Sequence, residues 1–478
     1  MSHIFKIREK SLLVLIPAMF CAVLAAAFLV CLEKPDIYRW YFLLPLGYAC
    51  FLMLTQLFKS SLRERPVFYM LLGLYFIKFV ITPVFTAASG WYTLVPGSWF
   101  LQHMPKAVFL SAWELVFLGA GAAVITRCRR RNERTIGFLA DHMVRFDAAD
   151  LLIWAGAAFI AGMVLYYPPL RARFQLLLHI GTNENPVIAT RSWRDLFAAN
   201  GRQVPLGIAD TLMMNVFYIV RVLFPLMLLE KIYLKSWKES KKVLVSAMVS
   251  LAAIQITTEA NADTIFTGIC LFFVILTAYP EFCRKWGKQV VLAGGVAAAA
   301  LFFIKVRGSA GDISDRTLLE HLSATLNSYM AGPFNIAAAI AAKKNYTPWM
   351  GLEEVLAGLP LIGRMFEEYQ TSSIFNEIFW GFAGRTDQLL PAAGQGYLYF
   401  GALFSPVISL LFVLLALWSD RYFLKSASIK EKGFLFLFCL IGSFMIANNL
   451  SHCLSYLKRY APGFLILYMK KYRIGIKI

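Results

Sequence analysis

Apolar runs of about 20 residues recur along the whole chain, separated by short stretches rich in Lys and Arg. As an α-helix, a run of that length matches the ~30 Å hydrocarbon core of a bilayer. Lipid offers a peptide group no hydrogen-bond partner, so a segment that crosses must bond its own backbone, and runs this long do so as helices. Composition points the same way. Of 478 residues 59% are hydrophobic and 16% charged, and the mean hydropathy is +0.61. Soluble domains carry ~25% charge. The fold class expected is therefore all-α, a polytopic integral membrane domain over 1–478.

Twelve runs qualify as spans: 11–32, 40–58, 67–89, 105–126, 150–168, 211–230, 243–259, 264–280, 289–305, 395–418, 433–449 and 453–469. The seventh and eighth form a tight hairpin, and the last two are short with a polar junction at Asn448, Asn449, Ser451 and His452. The first run, Ser11–Leu32, follows Lys6, Arg8 and Lys10. It exceeds the ~7–15 residues of a signal-peptide core and lacks a clear cleavage site, so it reads as an uncleaved span.

Charge bias sets the direction. With the N-terminus cytoplasmic, about 28 of the 47 Lys and Arg fall on the cytoplasmic side. They include Arg127, Arg129, Arg130 and Arg131, the Lys231–Lys242 cluster, and Lys470, Lys471 and Arg473. Nearly all lie in short loops, where the positive-inside rule applies. Both termini are then cytoplasmic. Two longer segments face outward, a first extracytoplasmic loop at 169–210 and a large one at 306–393.

The formal net charge of +19 is no nucleic-acid signature, because the basic residues sit in short clusters between apolar runs. None of the eight Cys forms a C-x-x-C pair, and the six His show no metal spacing, so neither a metal site nor a disulfide framework is expected. No phosphate-cradling G-x-x-x-x-G-K-[ST] loop occurs, which with the outward loops disfavours nucleotide-dependent chemistry. No cofactor is expected.

The outward loops carry the chemistry. Loop 169–210 holds Arg171, Arg173, Arg191, Arg194 and Arg202, with Trp193 placed to stack on a sugar ring. A guanidinium presents a planar fork that matches phosphate oxygens. Rim salt bridges and lipid headgroup contacts are the simpler explanation of these Arg. The large loop opens on Arg307, where snorkelling competes with a functional role. Its segment 317–343 reads as a helix broken at Gly332-Pro333, and 351–369 as an amphipathic interfacial segment containing Arg364 and broken near Pro360. Thr371–Glu377 and Gly384–Gln388 read as loops supplying Glu377, Arg385 and Asp387. Glycines around Gln395-Gly396-Tyr397 permit close backbone approach or helix packing. Within the spans Lys78 and Arg221 are isolated charges, and Arg221 is expected to face a cavity or a partner. Glu259 lies at the tip of the seventh–eighth hairpin.

The order of pieces from about 300 to 418 resembles the bacterial oligosaccharide repeat-unit polymerases (Wzy type) of O-antigen and capsule assembly. The resemblance rests on an Arg closing a late span, then Tyr329-Met330-Ala331-Gly332-Pro333-Phe334-Asn335, an amphipathic loop, a Thr/Ser-Asn stretch and Gly396-Tyr397-Leu398-Tyr399-Phe400-Gly401. Where that family often has an Asn-Val-Tyr-Thr-like stretch, this chain has Phe375-Asn376-Glu377. The resemblance implies a GT-C-like, metal-independent glycosyltransferase of the bacterial cytoplasmic (inner) membrane. Its substrate would be an undecaprenyl-diphosphate-linked oligosaccharide, and its partners membrane lipid and a chain-length regulator protein. Arg307 and Arg385, with Arg191, would stabilise the diphosphate, and Glu377 or Asp387 would stand at the acceptor. Arg191, Trp193, Arg194, Arg364, Tyr329, Tyr397 and Glu259 would bind substrate. An O-antigen ligase-like enzyme, a lipid-linked oligosaccharide flippase and a structural scaffold are the alternatives.

Overall fold

The computed structural model describes residues 2–55, 65–90, 100–128, 147–166, 170, 208–256, 261–282, 284–286, 289, 317–357, 365–366, 371–380, 388–425, 428–444 and 450–469. Among these every regular element is helical. In chain order the first are α1 (Ser2–Cys31), α2 (Leu43–Leu54), α3 (Pro66–Phe76), α4 (Thr82–Ser89), α5 (Met104–Cys128) and α6 (Ala148–Tyr166). There follow α7 (Ile208–Leu234), α8 (Glu239–Ile254), α9 (Asn261–Ala278), α10 (Leu318–Met330), α11 (Pro333–Ala342) and α12 (Pro348–Ala357). The last are α13 (Thr371–Trp380), α14 (Ala392–Phe404), α15 (Val407–Lys425), α16 (Ile429–Phe444) and α17 (Leu450–Tyr468).

Among the described residues five helices are long and apolar enough to cross a membrane: Asp36–Leu54, Pro66–Ser89, Leu101–Thr126, Ala148–Leu165 and Met213–Leu234. Counting each of two bent pairs as one span makes seven. The five match expected runs to within a few residues. The expected span 289–305 lies outside the described residues apart from its first position.

The chain divides into two compact units. The first comprises Met1–Thr135, Gly294–Arg421 and Cys439–Tyr456. Here α2 packs along α5, and α11 is clasped by α5 and α14. The polar ends of these helices are stitched by side chains. Pro66 opens α3, where its missing N–H costs nothing. The Asp420 carboxylate then accepts from Val67 N at 2.8 Å and Phe68 N at 3.3 Å, capping that helix from across the sequence. Asn327 Nδ2 donates to Thr86 Oγ1 at 2.8 Å, tying α10 to α4.

The second unit comprises Ile136–Ala293, Tyr422–Phe438 and Leu457–Ile478. α6 and α8 both flank α7. One end is closed by a buried ion lattice. Lys430 Nζ lies 2.7 Å from Asp147 Oδ2, 2.5 Å from Asp150 Oδ1 and 3.8 Å from Glu230 Oε1. Lys231 pairs with the other Asp150 oxygen, and Ser428 Oγ donates to Glu230 at 2.6 Å. Burial opposes the Lys430 charge, but Glu230, Asp147 and Asp150 outweigh it and hold the ammonium above the usual lysine range.

These contacts sort the helix ends. Within the first unit Asp420 meets the start of α3, two ends that the span alternation assigns to one face. The ends of α4 and α10, assigned to the other, meet through Asn327. Within the second unit the three segments of the ion lattice are again assigned to a single face.

Candidate functional site: a broken helix with a polar cradle

Residues 391–406 read Pro-Ala-Ala-Gly-Gln-Gly-Tyr-Leu-Tyr-Phe-Gly-Ala-Leu-Phe-Ser-Pro, and sequence alone places them at the head of one straight span. The structure differs. α14 and α15 meet at 103°, a broken span or re-entrant turn. Two glycines make the turn. Gly401 has φ 78 and ψ −172, a conformation that side chains rarely adopt. A Cβ on Gly396 would sit 2.0 Å from the Ser405 carbonyl oxygen, so the chain can fold back only where that atom is missing.

Breaking a helix frees backbone carbonyls, which a buried site must satisfy. Lys343 Nζ donates to Leu398 O, Ser405 Oγ to Ala402 O at 3.0 Å, and Trp113 Nε1 to Leu403 O at 3.0 Å. Around the same helix, the buried Gln395 donates through Nε2 to the Glu354 carboxylate and accepts through Oε1 from Leu450 N at 2.6 Å. Tyr399 donates its hydroxyl to the same carboxylate. Glu354 is fully buried. Burial first, and the Glu354 charge second, hold the nearby Tyr346 phenol above its usual range, so it stays a neutral donor. On another side of α14, Lys106 Nζ donates to Tyr397 Oη at 2.8 Å and lies 4.9 Å from the ring centroid, a cation–π contact.

Farther along, Ser409 on α15 donates to Glu114 on α5, and Glu114 is within electrostatic reach of Lys78. Both are buried, so these two intramembrane groups offer each other an opposite charge. Lys78 sits in a π-helical turn, Ile77–Ile81, between α3 and α4. Glu114 Oε2 has no hydrogen-bond partner among the described residues.

The residues preceding α14 are clamped by two asparagines. Asn335 Nδ2 donates to Leu389 O at 2.6 Å. Asn376 exchanges two bonds with the Gln388 backbone, at 3.0 and 2.8 Å. Asn376 therefore fixes the chain on either side of 381–387, the stretch that carries Arg385 and Asp387.

The residues expected from sequence divide as follows. Arg307, Arg385, Asp387, Arg191, Trp193, Arg194, Arg364 and Glu259 lie outside the described residues. Tyr397 is buried in the cradle against Lys106. Tyr329 is half-buried on α10, and Glu377 is exposed on α13. One local expectation is corrected. Thr371–Trp380 is a helix rather than a loop, because Ile374, Phe375, Ile378 and Phe379 recur at helical spacing and Phe375 and Phe379 are buried. In α12 Leu352 and Val355 are exposed, and Glu354 is buried. The expected break at Gly332-Pro333 is present, although the left-handed residue is Ala331, at φ 35.

Sequence reasoning missed Lys106, Lys343, Glu354, Gln395 and Glu114. Lys106 and Glu114 were legible as charges at the head of, and inside, one apolar run. Nothing local marks Glu354 or Gln395, which depend on α12 and α14 meeting. What these residues can do together is hold charge. The two Lys bring positive charge to α14, and Glu354 brings a buried carboxylate behind it. No protein-family model, curated protein or solved structure matches the chain. The class defined by the described residues is an all-helical protein with several helices apolar enough to cross a membrane.

Proposed function

We propose that the chain is a membrane glycosyltransferase that polymerises lipid-diphosphate-linked oligosaccharide repeat units on the extracytoplasmic face, with twelve spans in a GT-C-like arrangement. The observation that carries this reading is the broken α14–α15 segment with its cradle of Lys106, Lys343, Tyr397 and Glu354. Interrupted helices at membrane depth are characteristic of places where a polar ligand is handled, and this one falls inside the segment that resembles the polymerases.

In the reaction, a hydroxyl oxygen on the acceptor's terminal sugar forms a bond to the donor's anomeric carbon. The bond from that carbon to the lipid diphosphate breaks, and the diphosphate leaves with the electron pair. The hydroxyl proton passes to a carboxylate, for which Glu377 and Asp387 are the candidates, or to solvent. Arg307 and Arg385 stabilise the charge growing on the diphosphate. Arg191, Arg194, Trp193 and Arg364 bind substrate.

The test is a deletion strain examined for surface glycan. Loss of polymer with a single repeat unit still displayed on the lipid anchor supports a polymerase, and complete loss of surface glycan overturns it in favour of ligase or flippase. In the complemented strain Arg307→Ala and Arg385→Ala should each abolish polymer while the protein still inserts. Normal polymer in both removes these site assignments.

A further inference from the structure

The second unit contains a cavity of about 480 Å³ that the proposed reaction does not use. Sites for small ligands commonly span ~300–1,000 Å³. Its floor is α7, through Phe217, Val220, Arg221 and Leu228, and its walls are α6, with Ala161, and α8, with Ala252. Along α7 the lining runs from Phe217 to Leu228, about 17 Å at 1.5 Å per residue. That is close to the ~15 Å hydrocarbon depth of one leaflet.

Among the described lining residues Arg221 is the one charged side chain. Only 4% of it is exposed. Its Nη1 donates to Ile256 O at 3.1 Å and its Nη2 to Thr267 Oγ1 at 3.0 Å. Ile256 follows the C-terminus of α8 and lines the groove, so these bonds hold the guanidinium against the groove wall, and along α7 the apolar lining continues from Arg221 to Leu228 for about 10 Å. The flanking surfaces are made of exposed apolar side chains, Phe159 and Leu165 on α6 and Met248 and Leu251 on α8. Such faces border acyl chains when the helices lie in a bilayer.

From this geometry we propose that the groove is a binding site for one anionic phospholipid. The phosphate lies against Arg221, and one acyl chain fills the channel between α6 and α8. Charge complementarity selects the headgroup, since a guanidinium presents its donors as a planar fork to phosphate oxygens. The apolar walls select the chain but not its structure, so affinity resides in the headgroup and the site accepts varied acyl lengths.

The experiment is native mass spectrometry of the full-length protein in detergent, with added phosphatidylglycerol, phosphatidylcholine or a polyprenyl diphosphate. The wild type should retain one phosphatidylglycerol in preference to phosphatidylcholine by about tenfold, and Arg221→Gln should lose most of that preference. Ala161→Phe and Ala252→Phe fill the groove from wall positions without removing a polar bond, and should abolish retention even if Arg221→Gln fails to fold. Equal retention of both phospholipids, unchanged retention in the filled variants, or no retained lipid would each overturn the proposal. Preferred retention of the polyprenyl diphosphate would overturn its occupant and assign the groove to the lipid carrier.

Discussion

Removing the Lys430 ammonium should cost the second unit a large fraction of its stability. One charge, 1% exposed, lies within 2.5–3.8 Å of carboxylates from Asp147, Asp150 and Glu230. Lys430→Met keeps most of the side-chain volume but leaves three buried acids, of which Asp150 is paired with Lys231. Breaking one partner out of a buried ion pair costs ~3–5 kcal/mol, against a total stability of ~5–15 kcal/mol for a typical domain. Cys270 supplies a local reporter. It is 1% exposed, and its Sγ donates to Gly433 O at 3.0 Å, one turn from Lys430 on α16. With every other cysteine replaced by Ala, labelling of Cys270 by a thiol reagent under native conditions measures opening of this helix. Lys430→Met should raise the rate by about a hundred- to a few thousand-fold, since 1.4 kcal/mol is tenfold. Lys231→Met removes a pair whose Lys is 23% exposed and should cost only ~1 kcal/mol or less. A Lys430→Met labelling rate within about twofold of wild type would refute the reasoning. The pH dependence follows from linkage. A lysine raised above its ordinary 10.5 contributes fully below that pH, and the contribution is lost as pH climbs through the higher folded value. Thermal unfolding of the wild type should therefore lose stability above pH 10.5 by this term, and the Lys430→Met curve should lack it.

Two shorter predictions concern the first unit. Gly396→Ala drives a Cβ to 2.0 Å from a backbone oxygen that cannot step aside. It should cost ~1–3 kcal/mol or more and lower the melting temperature in detergent, so an unchanged melting curve would show that the fold-back is not tight. Asp420→Ala strips the cap from Val67 and Phe68 and should cost ~1–2 kcal/mol, read in the same assay, with Asp420→Asn recovering part of the loss.

Much of the scaffold could be read from hydropathy, because a bilayer dictates both length and polarity of what crosses it. Five helices fall where the apolar runs place them. The site was legible only in pieces. The glycines at 396 and 401 marked a close approach, but nothing in their neighbours shows that α14 and α15 turn by 103°. Glu354 illustrates why. Its own helix exposes Leu352 and Val355, so local amphipathicity assigns the acid to the wrong face. Only contact with Gln395 and Tyr399, about forty residues away in sequence, makes its burial favourable. Arg221 is the opposite case, a lone charge in an apolar helix whose cost already implied a cavity or a partner, and it has both.

The order of synthesis gives α11 an awkward wait. This helix, Pro333–Ala342, is almost wholly apolar and is buried at nine of its ten positions, yet it is too short to cross a bilayer. One of the helices that clasp it, α5, is made long before it, while α14 begins only at Ala392. At ~5–20 residues per second, the ribosome needs roughly 3–10 s to supply that second partner. Through this interval an apolar rod must lie beside the translocon or on the membrane surface with half its docking groove missing. Mutations that weaken α14 should accordingly show themselves first as lost yield and chaperone or protease capture during insertion, before any defect in the finished protein can be measured.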